Sequence, residues 1–157
     1  MKTLIQHTFE LGKIDKPNKL GIRSWLKIPF FGQAVQAGFP SPAQDYIEKT
    51  LDLNELCIKH PAATYFVRCD GDSMINAGIQ QDDVLVVDRA LNAKHGDIVI
   101  ANVSGFFTVK RLETQPILQL VAMNPTYQNI VLEPHDELEI FGVVTFVIHA
   151  VKNAKQL

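Results

Sequence analysis

Ser73 and Lys110 are of the residue types that form a nucleophile and its base. Ser73 directly follows the acidic turn Asp70-Gly71-Asp72, where an apolar run that begins at Thr64 stops. The turn alone favours an ordinary role, because serines in such turns usually bond to nearby backbone groups. The GxSxG elbow of α/β-hydrolases does not surround Ser73. Ser73 is therefore a candidate nucleophile only if another residue supplies a base.

Lys110 lies in the strand-like segment FFTVKRL, which begins at Phe106. Alternation along a strand puts Phe106, Thr108 and Lys110 on one face, so we expect the ammonium to lie against apolar surface. Burial lowers the pKa of a lysine, and the neutral amine can then accept a proton from a serine. Two alternatives stay open. Lys110 is a solvated or edge-protecting charge, or else His60 or His95 completes a Ser-His-Asp triad.

Short segments rich in Val, Ile and Phe, separated by turn residues, predict the elements that would position this pair. Ser104-Gly105 predicts a tight hairpin, and residues 54–59 and 74–77 predict short helical turns. Strands at this spacing without long helices predict a mostly β fold, a curled antiparallel sheet. The predicted strands are 65–69, 84–88, 97–103, 106–112, 117–123, 129–133 and 138–151.

Length and composition limit the class of protein. A chain of 157 residues is about one domain long, and its net charge of −2 disfavours direct binding of nucleic acid. Cys57 and Cys69 form no CxxC pair, and the histidines lack ligand spacing, so we expect core-filling cysteines and neither metal nor cofactor. His7 and Glu10 interrupt the start, and no apolar run is long enough to span a membrane. We expect a soluble cytoplasmic protein.

The chain up to Gln44 differs from the rest in composition. It has two acidic residues against six cationic ones, and prolines at 17, 29, 40 and 42 break any long helix. Its apolar piece, residues 28–39, is too short to form a core by itself. We therefore expect an extended N-terminal arm that docks on the remainder of the molecule.

Five motifs follow one another: GDSM (71–74), GI (78–79), DDVLVVD (82–88), HGDIVIA (95–101) and FTVKRL (107–112). In this order they resemble the LexA/UmuD family of self-cleaving SOS-response proteins. The resemblance runs over residues 29–152 and is especially close to UmuD at residues 38–48, 51–67 and 141–152. It implies the β fold of the LexA/UmuD C-terminal domain and a serine peptidase that cuts its own chain.

The resemblance assigns the site residues. The serine of GDSM is the family's nucleophile and the lysine of TVKRL its general base, here Ser73 and Lys110, 37 residues apart. The bond that is cut would be Ala37-Gly38, and the backbone N–H groups of Asp72 and Ser73 would form the oxyanion hole. Gly38 has no Cβ, so its backbone can approach Ser73 closely. The implied domains are 1–37, an arm removed by self-cleavage, and 38–157, the peptidase and dimerisation domain.

The resemblance also implies partners. Intact family members cut slowly until RecA bound to single-stranded DNA stimulates them. The trimmed homodimer then joins a UmuC-like, Y-family subunit as part of an error-prone translesion polymerase. Tyr46, Phe66 and the segment 138–151 are candidates for the dimer surface.

Two positions depart from the family pattern. Asp82 stands where a glycine is usual, and we expect only mild strain if it adopts the left-handed conformation. Ala37 replaces the cysteine of UmuD, which makes the scissile pattern LexA-like.

Two other functions remain open. One is a non-catalytic β-rich interaction module that binds a polymerase. The other is a truncated LexA-type repressor, which the acidic pI disfavours. An arm broken by Pro17 and Pro29 also supplies no helix-turn-helix domain.

Overall fold

The computed structural model describes residues 28–31 and 47–151. These residues divide between two compact units, with 28–31 and 47–59 in one and 60–151 in the other. Ala37, Gly38 and Tyr46 lie outside the described residues, as does most of the predicted arm. The predicted domain boundary after residue 37 therefore stays a prediction.

The described residues of the smaller unit form two strands and one short helix. Strand β1, Ile28–Phe31, pairs antiparallel with β2, Ile47–Leu51. Helix α1, Leu53–Cys57, begins after Asp52, whose carboxylate accepts the backbone N–H of Asn54 at 2.7 Å. An aspartate at this position satisfies a donor that the helix itself leaves unpaired. The helical turn predicted at 54–59 is thus confirmed, displaced towards the N-terminus.

The larger unit is one seven-stranded sheet in which every neighbouring pair is antiparallel. The spatial order is β3-β4-β9-β5-β6-β7-β8, so the final strand lies inside the sheet. The predicted mostly β, antiparallel fold is confirmed. The strands are β3 Thr64–Arg68, β4 Val84–Asp88, β5 Ile98–Val103, β6 Phe106–Glu113, β7 Gln119–Val121, β8 Ile130–Val131 and β9 Leu138–Ile148.

Strand β9 changes partner partway along its length. Val143 is opposite both Val99 of β5 and Asp88 of β4, so β9 pairs with β5 before this point and with β4 after it. The strands leave no room for a side chain here, since a Cβ on Gly142 would lie 2.8 Å from Val87 Cγ1 and 3.1 Å from the backbone oxygen of Asp88. Glycine at 142 therefore permits the crossover that joins the two halves of the sheet.

Two clusters of buried side chains form the core of this unit. Successive residues of β5 enter different clusters, as expected when side chains alternate between the faces of a strand. Cys69 is buried in the first cluster, which confirms its predicted core role, whereas Cys57 is half-buried on α1. The first cluster is Val67, Cys69, Met74, Ile79, Leu85, Val87, Ile100 and Val109; the second is Val99, Ala101, Leu112, Leu120 and Val143.

The turns agree with the predictions from sequence. Ser104 and Gly105 both have positive φ, +49° and +91°, as required by the primed turns that suit two-residue hairpins. Asp82 adopts φ +69°, the left-handed conformation foreseen for it. Ile75–Ala77 forms a single 3-10 turn. Within the described residues, no helix is both long and apolar enough to cross a membrane.

Candidate active site

Ser73 lies on the connection between β3 and β4. The base of this connection is closed by two backbone bonds: Cys69 N–H to Asp83 O at 2.8 Å, and Asp82 N–H to Cys69 O at 2.9 Å. Met74, the residue after Ser73, is almost fully buried in the core. Ser73 itself is half-buried. The buried Met74 side chain therefore anchors the turn while Ser73 stays accessible at its surface.

Lys110 is buried on β6, with only 7% of its surface exposed. Its Nζ lies 3.0 Å from Ser73 Oγ, 2.8 Å from Thr108 Oγ1 and 3.0 Å from the carbonyl oxygen of Val109. The sheet thus brings together two side chains that the sequence predicted as a pair. Val99, which is fully buried, is the residue opposite Lys110 on β5.

The protonation state of Lys110 follows from this burial. Burial lowers the pKa of Lys110 below its ordinary value, and only the charge of a Cys69 thiolate would oppose part of that shift. A neutral amine has two hydrogens and one lone pair. These match the three contacts if Nζ donates to Thr108 and Val109 and accepts from the Ser73 hydroxyl. In that state, the lone pair of Lys110 Nζ faces the hydroxyl proton of Ser73, as a general base requires.

The thiol of Cys69 is held protonated beside this pair. Burial raises the pKa of Cys69, and the Asp83 carboxylate raises it further. A thiol reacts as a nucleophile only as the thiolate, which this environment disfavours. Ser73 is thus the better candidate nucleophile.

The alternative bases considered from sequence have other partners. His60 Nδ1 lies 2.6 Å from Asp88 Oδ2, and His95 Nδ1 accepts the backbone N–H of Thr114 at 3.1 Å. Lys110 is neither solvated nor at a sheet edge, since β6 lies between β5 and β7. Phe106, predicted to flank the ammonium, is instead 54% exposed beside the hairpin turn.

Asp72, the other predicted member of the oxyanion hole, is exposed next to Ser73. Within the part of the chain that the structure describes, neither the Asp72 nor the Ser73 backbone N–H donates a hydrogen bond. Two residues that sequence reasoning missed contact Asp72: Asn124 Nδ2 donates to its carbonyl oxygen at 3.1 Å, and the Tyr127 hydroxyl donates to Oδ1 at 2.5 Å. The only sequence signal was the dipeptide Asn124-Pro125, which indicated a turn.

An antiparallel sheet that holds a serine against a buried lysine is the arrangement expected of a serine peptidase of the Ser-Lys type. The chain belongs to the Peptidase S24-like family, whose family model matches residues 29–145. Three relatives illustrate its range. Protein ImpA of Escherichia coli is 51% identical over 129 residues, covering 81% of this chain and 87% of ImpA. Protein MucA of Escherichia coli is 47% identical over 134 residues, covering 85% and 92%.

The LexA repressor of Albidiferax ferrireducens is more distant, at 37% identity over 126 residues. That match covers 80% of this chain and 55% of the repressor. The predicted membership of the LexA/UmuD family is confirmed by these relatives together with the family match.

Proposed function

We propose that this protein is a cytoplasmic SOS-mutagenesis peptidase that cuts its own chain, with Ser73 as nucleophile and Lys110 as general base. One observation carries the proposal: the 3.0 Å contact between a serine hydroxyl and a lysine amine whose pKa burial lowers. Nucleophilic catalysis by serine needs a base within hydrogen-bond reach, and a neutral lysine fills that role in Ser-Lys peptidases.

The proposed substrate is the bond between Ala37 and Gly38. Neutral Lys110 takes the proton of Ser73 Oγ as the oxygen bonds to the carbonyl carbon of Ala37. When the C–N bond breaks, the Lys110 ammonium returns this proton to the nitrogen of Gly38. Water, deprotonated by Lys110, then hydrolyses the ester and regenerates Ser73.

The negative charge that develops on the Ala37 oxygen needs donors placed in advance. The Asp72 and Ser73 backbone N–H groups, which make no hydrogen bond among the described residues, are the proposed donors. Ala37 and Gly38 belong to residues 32–46, which connect β1 to β2 along the chain. We propose that RecA on single-stranded DNA stimulates the reaction by favouring entry of this segment into the site.

The trimmed product, residues 38–157, is proposed to act as a homodimer. A row of side chains crosses the sheet at Phe66, Val86 and Phe146, which are opposite one another on β3, β4 and β9. Both phenylalanines are 36% exposed, whereas Val86 between them is fully buried, so the two rings offer apolar surface to a second copy. By family membership, the dimer is proposed to serve as the accessory subunit of a Y-family, UmuC-like translesion polymerase.

Intact mass spectrometry of the purified full chain tests the peptidase. Incubation at pH 7 and at about pH 10 should give a fragment beginning at Gly38, faster at the higher pH because more Lys110 is neutral. The Ser73→Ala and Lys110→Ala variants should stay intact in both conditions. An uncut wild-type chain, even with RecA, ATP and single-stranded DNA, would favour the non-catalytic polymerase-binding module. Operator DNA binding would instead support the repressor alternative.

A further inference from the structure

The turn that carries Ser73 is tied to a second loop, the one between β7 and β8. At one end, Asn76 N–H donates to the carbonyl oxygen of Met123 at 2.8 Å. At the other end, Asn124 and Tyr127 donate to Asp72, one to its backbone oxygen and one to its side chain. No proposed step of the cleavage reaction uses these contacts, so their role needs a separate explanation.

The bond from Asn124 acts on the peptide unit that contains the Ser73 N–H. In a planar trans peptide, the carbonyl of Asp72 and the N–H of Ser73 point in opposite directions and turn together. The carbonyl oxygen of Asp72 accepts two hydrogen bonds, one from Asn124 Nδ2 at 3.1 Å and one from the backbone N–H of Ile75 at 3.1 Å. Fixing the carbonyl on one side therefore fixes the direction of the Ser73 N–H on the other.

Burial and hydrogen bonds hold the side chain of Asn124 in one orientation. Only 9% of its surface is exposed, and its Oδ1 accepts both the backbone N–H and the hydroxyl of Thr126, at 3.1 Å and 2.9 Å. These two donors orient the amide so that Nδ2 faces Asp72. A buried amide with one orientation is a rigid support for the peptide that it holds.

Tyr127 donates a second side-chain hydrogen bond to Asp72. Its hydrogen bond to the Asp72 carboxylate raises the pKa of the phenol. The hydroxyl therefore keeps its proton at a higher pH than an ordinary tyrosine does, so this contact should persist as the pH of a cleavage assay is raised. The ring is 45% exposed, so the contact does not depend on core packing.

We propose that Asn124 is a positioning residue that aims the Ser73 N–H at the developing oxyanion, with Tyr127 as a second anchor through the Asp72 side chain. Neither residue touches the reacting atoms, and both act through Asp72. The inference rests on the proposed self-cleavage, since it assigns these residues a part in that reaction.

Asn124→Asp is the most direct test in the full chain. It keeps the shape of the side chain but replaces the Nδ2 donor with an oxygen that repels the Asp72 carbonyl. Asn129→Asp is the matched control, because Asn129 lies in the same loop. Its Oδ1 accepts the backbone N–H of Ala122, and a carboxylate can accept that N–H as well. Cleavage rates would be measured from neutral pH up to the alkaline plateau, where Lys110 is neutral in every variant.

The plateau rate of Asn124→Asp should fall about tenfold or more, because misplacement of a catalytic group by ~1 Å can cost about a hundredfold. Tyr127→Phe should lower the plateau less and leave the pH midpoint, which Lys110 sets, unchanged. Asn129→Asp should match wild type. A plateau unchanged in both Asn124→Asp and Tyr127→Phe, or an equal loss in Asn129→Asp, would overturn the proposal.

A second readout does not need cleavage. In the inert Lys110→Ala background, the amide resonance of Ser73 in nuclear magnetic resonance spectra should move with Asn124→Asp and stay in place with Asn129→Asp. An unmoved resonance would overturn the positioning role even if Asn124→Asp failed to cut. A wild-type chain that never cuts would contradict the proposed function instead, and this resonance would still decide whether Asn124 holds the peptide.

Discussion

Thr108 and Lys110 are neighbours on one face of β6, and the Thr108 hydroxyl lies 2.8 Å from Lys110 Nζ. Ala101 and Val99, the residues opposite them on β5, are both fully buried. The hydroxyl is therefore a polar partner for the amine in otherwise apolar surroundings. A neutral Lys110 would donate its two hydrogens to this hydroxyl and to the carbonyl of Val109, which would leave its lone pair for Ser73.

Thr108→Val removes this acceptor at nearly constant volume. We expect the plateau rate of self-cleavage to fall about tenfold, because the amine loses one of the contacts that orient it towards Ser73. Thr145→Val is the matched control, since Thr145 lies on β9 and its hydroxyl donates to the carbonyl oxygen of Val86. Equal rates for Thr108→Val and wild type would show that the hydroxyl does not orient the base.

Lys110→Met should stabilise the protein at any pH at which Lys110 is charged in the folded state. Burial lowers the pKa of Lys110 in the folded state. Below that pKa, the buried charge reduces the free energy of unfolding. Between this pKa and the higher one of the unfolded chain, the unfolded state binds more protons, so wild-type stability rises with pH. Each unit of the shift is worth about 1.4 kcal/mol.

The gain from Lys110→Met should therefore be largest below the folded-state pKa of Lys110 and shrink as the pH rises through that window. Urea unfolding at several pH values, in a Ser73→Ala background that prevents cutting, measures this directly. Lys94→Met is the control, because Lys94 is exposed. A gain that does not vary with pH would mean that burial does not penalise the charge of Lys110.

Gly142→Ala should destabilise the larger unit by about 1–3 kcal/mol, the usual cost of overpacking. The added methyl would lie 2.8 Å from Val87 Cγ1 and 3.1 Å from the backbone oxygen of Asp88. Gly105→Asn is the comparison: its Cβ would meet no atom within 4 Å, so it carries only the strain of φ +91°, which asparagine tolerates better than most residues. An unfolding midpoint of Gly142→Ala equal to that of the wild type would show that β9 shifts at no cost.

Phe146→Lys tests the proposed dimer surface. A charge placed in the row formed by Phe66, Val86 and Phe146 should weaken dimerisation about tenfold or more if that row is central to the interface. Phe106→Lys makes the same change at another exposed phenylalanine, beside the hairpin turn of β5 and β6. Sedimentation equilibrium of the trimmed chain compares them, and an unaffected Phe146→Lys dimer would place the interface elsewhere.

Strand positions were largely predictable from sequence because β-branched runs between turn residues are local signals. β4 has the predicted bounds, and β5 and β6 differ from theirs by one residue. β7 and β8 are shorter than predicted, because an apolar run does not show where pairing with a neighbour ends. Ile117 and Leu118, counted in a strand, precede β7 and are largely exposed.

The contacts between distant parts of the chain were harder to predict from the sequence. The motifs identified Ser73 and Lys110, and alternation correctly put Thr108 beside Lys110 on one face. Nothing local indicated that Asn124 and Tyr127 meet Asp72, because 52 and 55 residues separate them. Such contacts depend on strand order, and the insertion of β9 between β4 and β5 leaves no trace in local periodicity.

The central position of β9 also sets the order in which the site can assemble. Ser73 is borne by the hairpin of β3 and β4, whereas Lys110 belongs to the strands on the other side of β9. During synthesis, each group of strands can pair locally, but no strand links the groups until residues 138–148 have emerged from the ribosome. Because long-range pairing is slow to form, we expect Ser73 and Lys110 to reach their 3.0 Å contact only after β9 has joined the sheet. A chain that ends before β9 would carry both residues without the strand that joins their two groups.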